Sequence, residues 1–306
     1  MAPPVRELDH STSDSIVAVN MNRCGLGNRV HFTLSVASVA SATDRNLKVY
    51  WPLDDLFACP VENIWANFPG EVIEAQDLPP IGPEVLTDWR NLTPESWSTI
   101  DESEVYLRGY GGIPQPAGSR LWGELFRELE LTAEVRGLVH NAWAELPRDH
   151  GVLGVSMRVN ERSHAKTKEH SPVEWYVAEL ERFSETHPNA GIFLSCDEEV
   201  VVEQLKVRFP NVVAIDYPGE YNSGRSIIKA VADLYILASS TEIISPYWSS
   251  FPNMSYQLAA EHVPMRNSVR SWRGAKSTSP SIASDPAWPS HNRTPVTDWT
   301  PFSKAD

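Results

Sequence analysis

The sequence predicts an α/β chain built as two doubly wound domains. Three observations carry that expectation. A strand, glycine turn, helix and strand follow one another near the start. Four further strands alternate with helices after residue 150. The length, 306 residues, suits two domains of ordinary size. The expected boundaries are an N-terminal domain at 15–147, a C-terminal domain at 148–266 and a Pro-, Ser- and Trp-rich tail at 267–306.

Each element follows from its local pattern. Ser15-Ile-Val-Ala-Val-Asn is a β-branched run suited to a buried strand. After the glycine turn, Val30 to about Thr43 is rich in Ala, Ser and Val, so one helix face can lie close to a sheet. Leu47-Lys-Val-Tyr-Trp is the second strand, which makes a βαβ unit and a parallel sheet. Between 60 and 118 the strand candidates are Glu71–Glu74 and Val105–Arg108, and Arg108-Gly-Tyr-Gly-Gly-Ile-Pro reads as a loop. Leu121 to Trp143 reads as one or two helices. Strands are expected at Val152–Val159, Gly191–Cys196, Val212–Ile215 and Glu242–Ser245. Helices are expected at Pro172–Phe183, with Ser171 as N-cap, and at Glu199–Arg208, Ser226–Ala238 and Asn253–His262. The tail from about Ser268 is irregular by composition. Its tryptophans Trp272, Trp288 and Trp299 either pack against a surface or belong to a disordered segment.

Composition limits the partners. With 26 basic and 40 acidic residues the formal charge is −14, which argues against general binding to nucleic acid or anionic membrane. It leaves room for a local pocket that holds one phosphorylated ligand. Cys24, Cys59 and Cys196 are scattered without CxxC spacing, and they read as free thiols. No stretch of about 18 apolar residues predicts a membrane span, and the start has no secretory pattern. A cytoplasmic location is therefore expected.

Polar residues gather at four strand ends, where ligands bind in open α/β sheets. Cys24-Gly25-Leu26-Gly27-Asn28-Arg29 opens a helix, and glycines there let backbone approach an anion. A plain turn explains it as well: the third glycine of the dinucleotide fingerprint is missing, and about 20 residues on stands Lys48 in place of an acid. Arg158 ends a strand buried on both faces. A planar guanidinium suits a phosphate there, and a surface arginine is the alternative. Asp197 ends the next strand, placed either to accept from a nucleoside or to cap the following helix. Ser249 and Ser250, in Ser245-Pro-Tyr-Trp-Ser-Ser-Phe-Pro, offer hydroxyls and helix amides to a diphosphate, or simply a cap. Asp233, a lone acid on an apolar helix, reads as structural, paired with an arginine. The aromatic residues from Trp51 to Tyr110 are either core or a surface on which sugar rings stack.

In order and spacing these segments resemble the nucleotide-sugar fucosyltransferases of the α1,6- and protein-O-fucosyltransferase superfamily, which includes the bacterial nodulation enzymes. The family's first motif, His-x-Arg-Arg-x-Asp, corresponds to Ser156-Met157-Arg158-Val159-Asn160-Glu161, followed by Arg162. Pro172-Val-Glu174-Trp-Tyr176 is similar to its Pro-x-Glu-x-Tyr helix start. Phe193-Leu-Ser-Cys-Asp197-Glu198 resembles its Tyr-Leu-Ala-Thr-Asp-Asp. The third motif corresponds to the segment from Asp233 to Glu242, then Trp248-Ser249-Ser250-Phe251. The likeness covers most of 150–262 and about 18–60. Ser156 and Val159 depart from the family's His and second Arg.

The resemblance implies a GT-B fold, two Rossmann-like domains facing a central cleft, with the acceptor on the N-terminal side and a GDP-sugar, GDP-fucose first, on the C-terminal side. Arg158 would bind the β-phosphate and Arg162 would take the place of a family lysine near it. Asp197 would contact the nucleoside. Ser249, Ser250 and Phe251 would hold the diphosphate, which Gly25, Gly27 and Asn28 would approach as well. Glu161 and Glu169 are the candidates for the general base. The chain has no Asp-x-Asp pair, so a metal-independent, inverting transfer to a hydroxyl acceptor is expected, with no metal and no cofactor beyond the nucleotide-sugar substrate. Three other readings stand: a same-fold glycosyltransferase with another nucleotide-sugar and a natural-product acceptor, a non-catalytic nucleotide-sugar-binding protein, and an NAD-dependent oxidoreductase that rests on Gly25-x-Gly27 alone. Oligomeric state is left open.

Overall fold

A computed structural model describes residues 14–78, 86–88 (backbone only), 92–216, 219–269 and 280–300. The chain is mixed α/β with parallel sheets and divides into two compact units. The first comprises Met1–Cys24, Asn28–Pro52 and Pro69–Trp122, and the second Gly25–Gly27, Leu53–Phe68 and Gly123–Asp306.

In the first unit β1 (Ser15–Asn20) leads through helix α1 (Leu26–Ala42) to β2 (Asn46–Tyr50), followed by β3 (Glu71–Ile73), β4 (Leu86–Asp88) and β5 (Glu104–Gly109). The five strands lie in the order β3-β2-β1-β5-β4, all parallel. β1 is buried along its whole length, as its unbroken apolar run requires. Phe32, Val36 and Val39 of α1 pack on Ile16, Ala18, Val105 and Leu107. Among the described residues the other connections of this sheet are loops and short 3-10 turns, so the unit is a reduced version of the doubly wound pattern expected. The aromatic segment supplies core: Trp51 and Trp97 are buried here, while Tyr110 is exposed. Trp89 lies outside the described residues.

Three strands of this sheet are tied by one carboxylate. Glu104 accepts from the Ser15 hydroxyl (2.9 Å), Lys48 Nζ (2.8 Å) and the Tyr106 hydroxyl (2.6 Å). The lysine first, then the tyrosine and serine, hold its carboxyl down at about 2.

The second unit takes in α2 (Trp122–Phe126), apart from its first residue, and α3 (Ala133–Glu145), which the sequence placed in the N-terminal domain at 15–147. The reason is packing: α3 lies against a later helix of the second unit, and Trp65 bridges to Leu131. The unit continues with β6 (Val152–Met157), α4 (Ala165–His170), α5 (Val173–Thr186), β7 (Gly191–Cys196), α6 (Glu199–Arg208) and β8 (Val212–Val213). Then come α7 (Gly224–Ser239), β9 (Glu242–Ile244), α8 (Phe251–Leu258) and β10 (Met265–Arg266). Its sheet runs β10-β9-β6-β7-β8, all parallel. The first strand is central, and the chain winds outward to β8 before returning to the other side through β9. The crevice between β6 and β9 is thus a topological switch point. α7 carries a buried residue on nearly every face, as a helix enclosed by a sheet and other helices must. Ser171 does not cap α5. It is buried, and its hydroxyl accepts from the Tyr247 N–H at 2.9 Å.

The tail is ordered where described. β11 (Ser281–Ala283) and β12 (Arg293–Pro295) form an antiparallel pair. Arg293 donates to the carbonyls of Ala238 (3.0 Å) and Ser240 (2.8 Å), closing the C-terminus of α7. Trp299 is buried beside Phe183 and His187, and its Nε1 donates to Glu242 at 3.3 Å. Gly151, at φ +88°, makes room for it: a Cβ there would stand 2.6 Å from the indole. Trp272 lies outside the described residues. Among the described residues no helix is long and apolar enough to cross a membrane.

Two tests follow from this packing. Trp299→Ala should lower stability by about 3 kcal/mol, as loss of a buried aromatic does, measured by urea unfolding. The depressed Glu104 carboxyl contributes stability that is complete above the ordinary carboxylate value and is lost as pH falls towards 2. That carboxylate is over a third exposed, so water screens its ion pair and the contribution is at most about 1 kcal/mol. Glu104→Gln should flatten this part of the acid dependence in melts between pH 6 and 3; an unchanged slope would refute it.

Candidate active site

The carboxyl ends of β6, β7 and β9 open on a cavity of about 770 Å³, all of whose lining belongs to the second unit. Arg158, directly after β6, is the cation beside the switch point. Its Nη1 lies 3.6 Å from Asp197 Oδ2, and its guanidinium stands 4.8 Å from the centre of the Phe251 ring. The arginine side chain is 31% exposed and Asp197 6%, so the cation reaches the cavity while its partner sits beneath it.

Asp197 does more than pair with Arg158. Its Oδ1 accepts from the amides of Val159 (2.7 Å) and Asn160 (3.1 Å), and its Oδ2 from the Ser163 hydroxyl (3.2 Å). It does not cap α6, whose N-cap position is Glu198. The carboxylate therefore fastens the loop after β6, and its acceptor positions are largely used within the protein. Asn160 continues the bracing: its Nδ2 donates to Glu198 and its Oδ1 accepts from the Arg162 amide. Val159, where the resembled family has a second arginine, packs against the core of the unit.

The segment after β9 supplies the opposite wall. Trp248, Ser249, Ser250 and Phe251 line the cavity, as does Gly25. The expected row of free helix amides is shorter than the sequence suggested. Pro252 has no N–H, and the Asn253 amide already bonds to the Ser250 carbonyl at 3.1 Å. The Phe251 amide donates to Ser249 Oγ at 3.4 Å, so the donors left are chiefly the hydroxyls of Ser249 and Ser250. Gly27 lies outside the lining yet against it: a Cβ there would come within 3.2 Å of Ser250 Oγ. Trp248 holds a left-handed backbone, φ +62°, which costs a bulky residue about 1–2 kcal/mol.

Arg162 lines the cavity too, its guanidinium 5.6 Å from the Tyr221 ring centre. Asn28 does not. It belongs to the first unit, where its carbonyl accepts from the Gly111 amide at 3.0 Å. Glu161 and Glu169 are exposed and outside the lining. Glu161 is flanked by Asn160 and Arg162, which do line it, whereas Glu169 sits on the exposed surface of α4.

Beneath the cavity, Asp233 is 2% exposed and paired with Lys229 at 2.7 Å, not with an arginine, and it accepts from Ser195 Oγ at 2.8 Å. Burial raises its carboxyl, and Lys229 opposes that rise. Lys229, Tyr221 and Trp248 escaped the sequence reading as site residues. Lys229 had a signal in its i,i+4 spacing from Asp233, and Tyr221 had none. Cys196 also lines the cavity, and burial pushes its thiol up to about 12, away from the thiolate form. Among the described residues no cluster of His, Cys, Asp and Glu is arranged to hold a metal ion.

No protein-family model matches the chain, and no curated protein sequence matches it. Solved structures do. The fucosyltransferase NodZ from Bradyrhizobium superposes with a TM-score of 0.56 at 20% identity, over 83% of this chain and 96% of that one. The chain shares the fold of NodZ. The NodZ alpha-1,6-fucosyltransferase has been crystallised with GDP, and that structure superposes with a TM-score of 0.56 at 21% identity, over 83% and 94% of the two chains. An Arabidopsis thaliana FUT1 mutant in complex with GDP gives 0.55 at 13% identity, over 94% of this chain and 80% of that one. POFUT1 without ligand gives 0.53 at 11% identity, over 86% and 100%. At these identities the likeness is one of fold.

The anchoring of the loop after β6 is open to test. Asp197→Ala should free residues 158–163, which hydrogen exchange would report as faster exchange at the Val159 and Asn160 amides. Stability should drop by about 2–4 kcal/mol, since those amides and Arg158 lose a buried partner. Protection unchanged from the wild type would show that Asp197 does not hold the loop.

Proposed function

We propose that the chain is a glycosyltransferase of GT-B architecture that moves a sugar, fucose first, from a GDP-sugar to a hydroxyl of a small-molecule, oligosaccharide or peptide acceptor. The observation that carries this reading is Arg158, fastened by Asp197 at the switch point and facing Ser249, Ser250 and Phe251 across the cavity. The sharing of a fold with NodZ, which has been co-crystallised with GDP and soaked with GDP-fucose, supports the choice of donor.

The chemistry sets the roles. The acceptor oxygen forms a bond to the anomeric carbon while the bond to the β-phosphate oxygen breaks, and the acceptor proton passes to a base. Negative charge grows on the departing diphosphate. A fixed guanidinium with nearby hydroxyls and amides stabilises that charge without reorganisation, so we assign the task to Arg158, Ser249, Ser250 and Gly25 and read the transfer as metal-independent. A single displacement of this kind inverts the anomeric centre. Arg162 and Tyr221 flank the nucleoside side. Of the two glutamates considered for the base, Glu161 stands next to the lining and is the one we propose. Asp197 acts as the positioning residue for Arg158.

Val159 offers no guanidinium, so Arg158 carries the phosphate charge with less help than the resembled family provides. That departure keeps a second donor in play, a different nucleotide-sugar in the same site. Thermal shift with GDP-fucose, GDP-mannose, UDP-glucose and dTDP-glucose separates the two, because a ligand that binds only the folded state raises the melting temperature. GDP-fucose should give the largest rise. Arg158→Ala should reduce that rise and lower transfer to a hydroxyl acceptor by about 10²–10³-fold, with the ligand-free melting temperature within a few degrees of wild type. Turnover at the wild-type rate would remove Arg158 from the mechanism.

A further inference from the structure

We infer that Trp248 is the face on which the transferred sugar ring stacks, an inference that rests on the nucleotide-sugar reading above. Among the described tryptophans Trp248 alone is exposed, at 56%, and it lines the cavity. It does so from a left-handed backbone that only outside contacts can maintain. Those contacts are present. The Tyr247 amide is held by Ser171 (2.9 Å), the Trp248 carbonyl accepts from Thr167 Oγ1 (3.4 Å), and His170 packs edge-on against Tyr247 at 5.0 Å. Lys166 Nζ stands 4.2 Å from the indole centre, fixing the ring by a cation–π contact. A strained, exposed and clamped indole at a cavity rim serves a ligand better than it serves the fold.

The order of strands says which part of the ligand it meets. Arg158 after β6 and Phe251 after β9 are in contact, so the diphosphate belongs at the β6–β9 crevice. The cavity extends from there past β7 to β8, where Ile215 and Tyr221 offer apolar surface for a nucleoside. Trp248 lies after β9, on the other side of the diphosphate position, where the sugar must lie. A pyranose presents a face of C–H groups with slight positive charge, which the negative face of an indole attracts. The ligand class is thus the hexose or deoxyhexose carried by the nucleotide, not the base.

Calorimetric titration of GDP and of GDP-fucose against the wild type, Trp248→Ala and Trp248→Gly tests this. The glycine variant removes the ring and relieves the backbone, so it should fold and melt no lower than wild type. The expected result is GDP affinity within twofold of wild type in both variants, with GDP-fucose affinity about tenfold weaker. Equal weakening of both ligands would place Trp248 on the nucleotide, and no weakening of either would remove it from the donor site; each overturns the inference and leaves the donor reading standing. Failure of the wild type to bind either ligand overturns the donor reading itself, and the sugar platform with it.

Discussion

Asp197 stands where β7 ends, and the chain that follows β6 is built onto its carboxylate. Two amides, a hydroxyl and a guanidinium converge on one buried anion. A parallel sheet makes this possible, because adjacent strands end side by side and the loop of one lies over the end of the next. Without that anchor the segment from Arg158 to Ser163 would keep only the bracing of Asn160, and Arg158 would lose its fixed place beside Phe251. A carboxylate shared among four donors also leaves Arg158 only partly neutralised. The guanidinium can thus present positive charge upward while it is held from below.

That arrangement reconciles a net charge of −14 with the anion site proposed above. Field strength at a phosphate is set by the few groups within hydrogen-bond reach, and distant surface acids are screened by salt. Lys229 is the informative contrast. It is a cation on the cavity floor whose charge is balanced by a buried carboxylate at 2.7 Å, so it offers a proton donor more than a net charge. Arg158 keeps part of its charge open to the cavity, whereas that of Lys229 is met within the protein.

Much of this was legible in the sequence, and for definite reasons. β1, β6 and β7 are mainly apolar runs buried on both faces, and α6 begins and ends at the residues its pattern indicates. Arg158, Asp197 and Ser249–Phe251 meet because strand ends of a parallel sheet meet. What stayed hidden depends on contacts distant in sequence. β10 is two residues long and exists because β9 offers it an edge. The domain boundary moved because α3 finds its partner on α7, which no local pattern encodes. Ser171 looks like a helix cap, yet its hydroxyl serves a residue 76 positions later. The tail reads as irregular, and its described part at 280–300 is held by what Arg293 and Trp299 reach.

The seat of Trp299 beside Gly151 bears on how the protein is made. The indole completes a core whose β6, β7 and α5 walls lie more than a hundred residues earlier, with α6, β8 and β9 between. While that core awaits its last aromatic side chain, Phe183 and His187 remain uncovered on the nascent chain. Synthesis and folding of the second unit are thus out of step: its sheet can assemble as the polypeptide emerges, but its interior is sealed only after residue 299 has left the ribosomal tunnel.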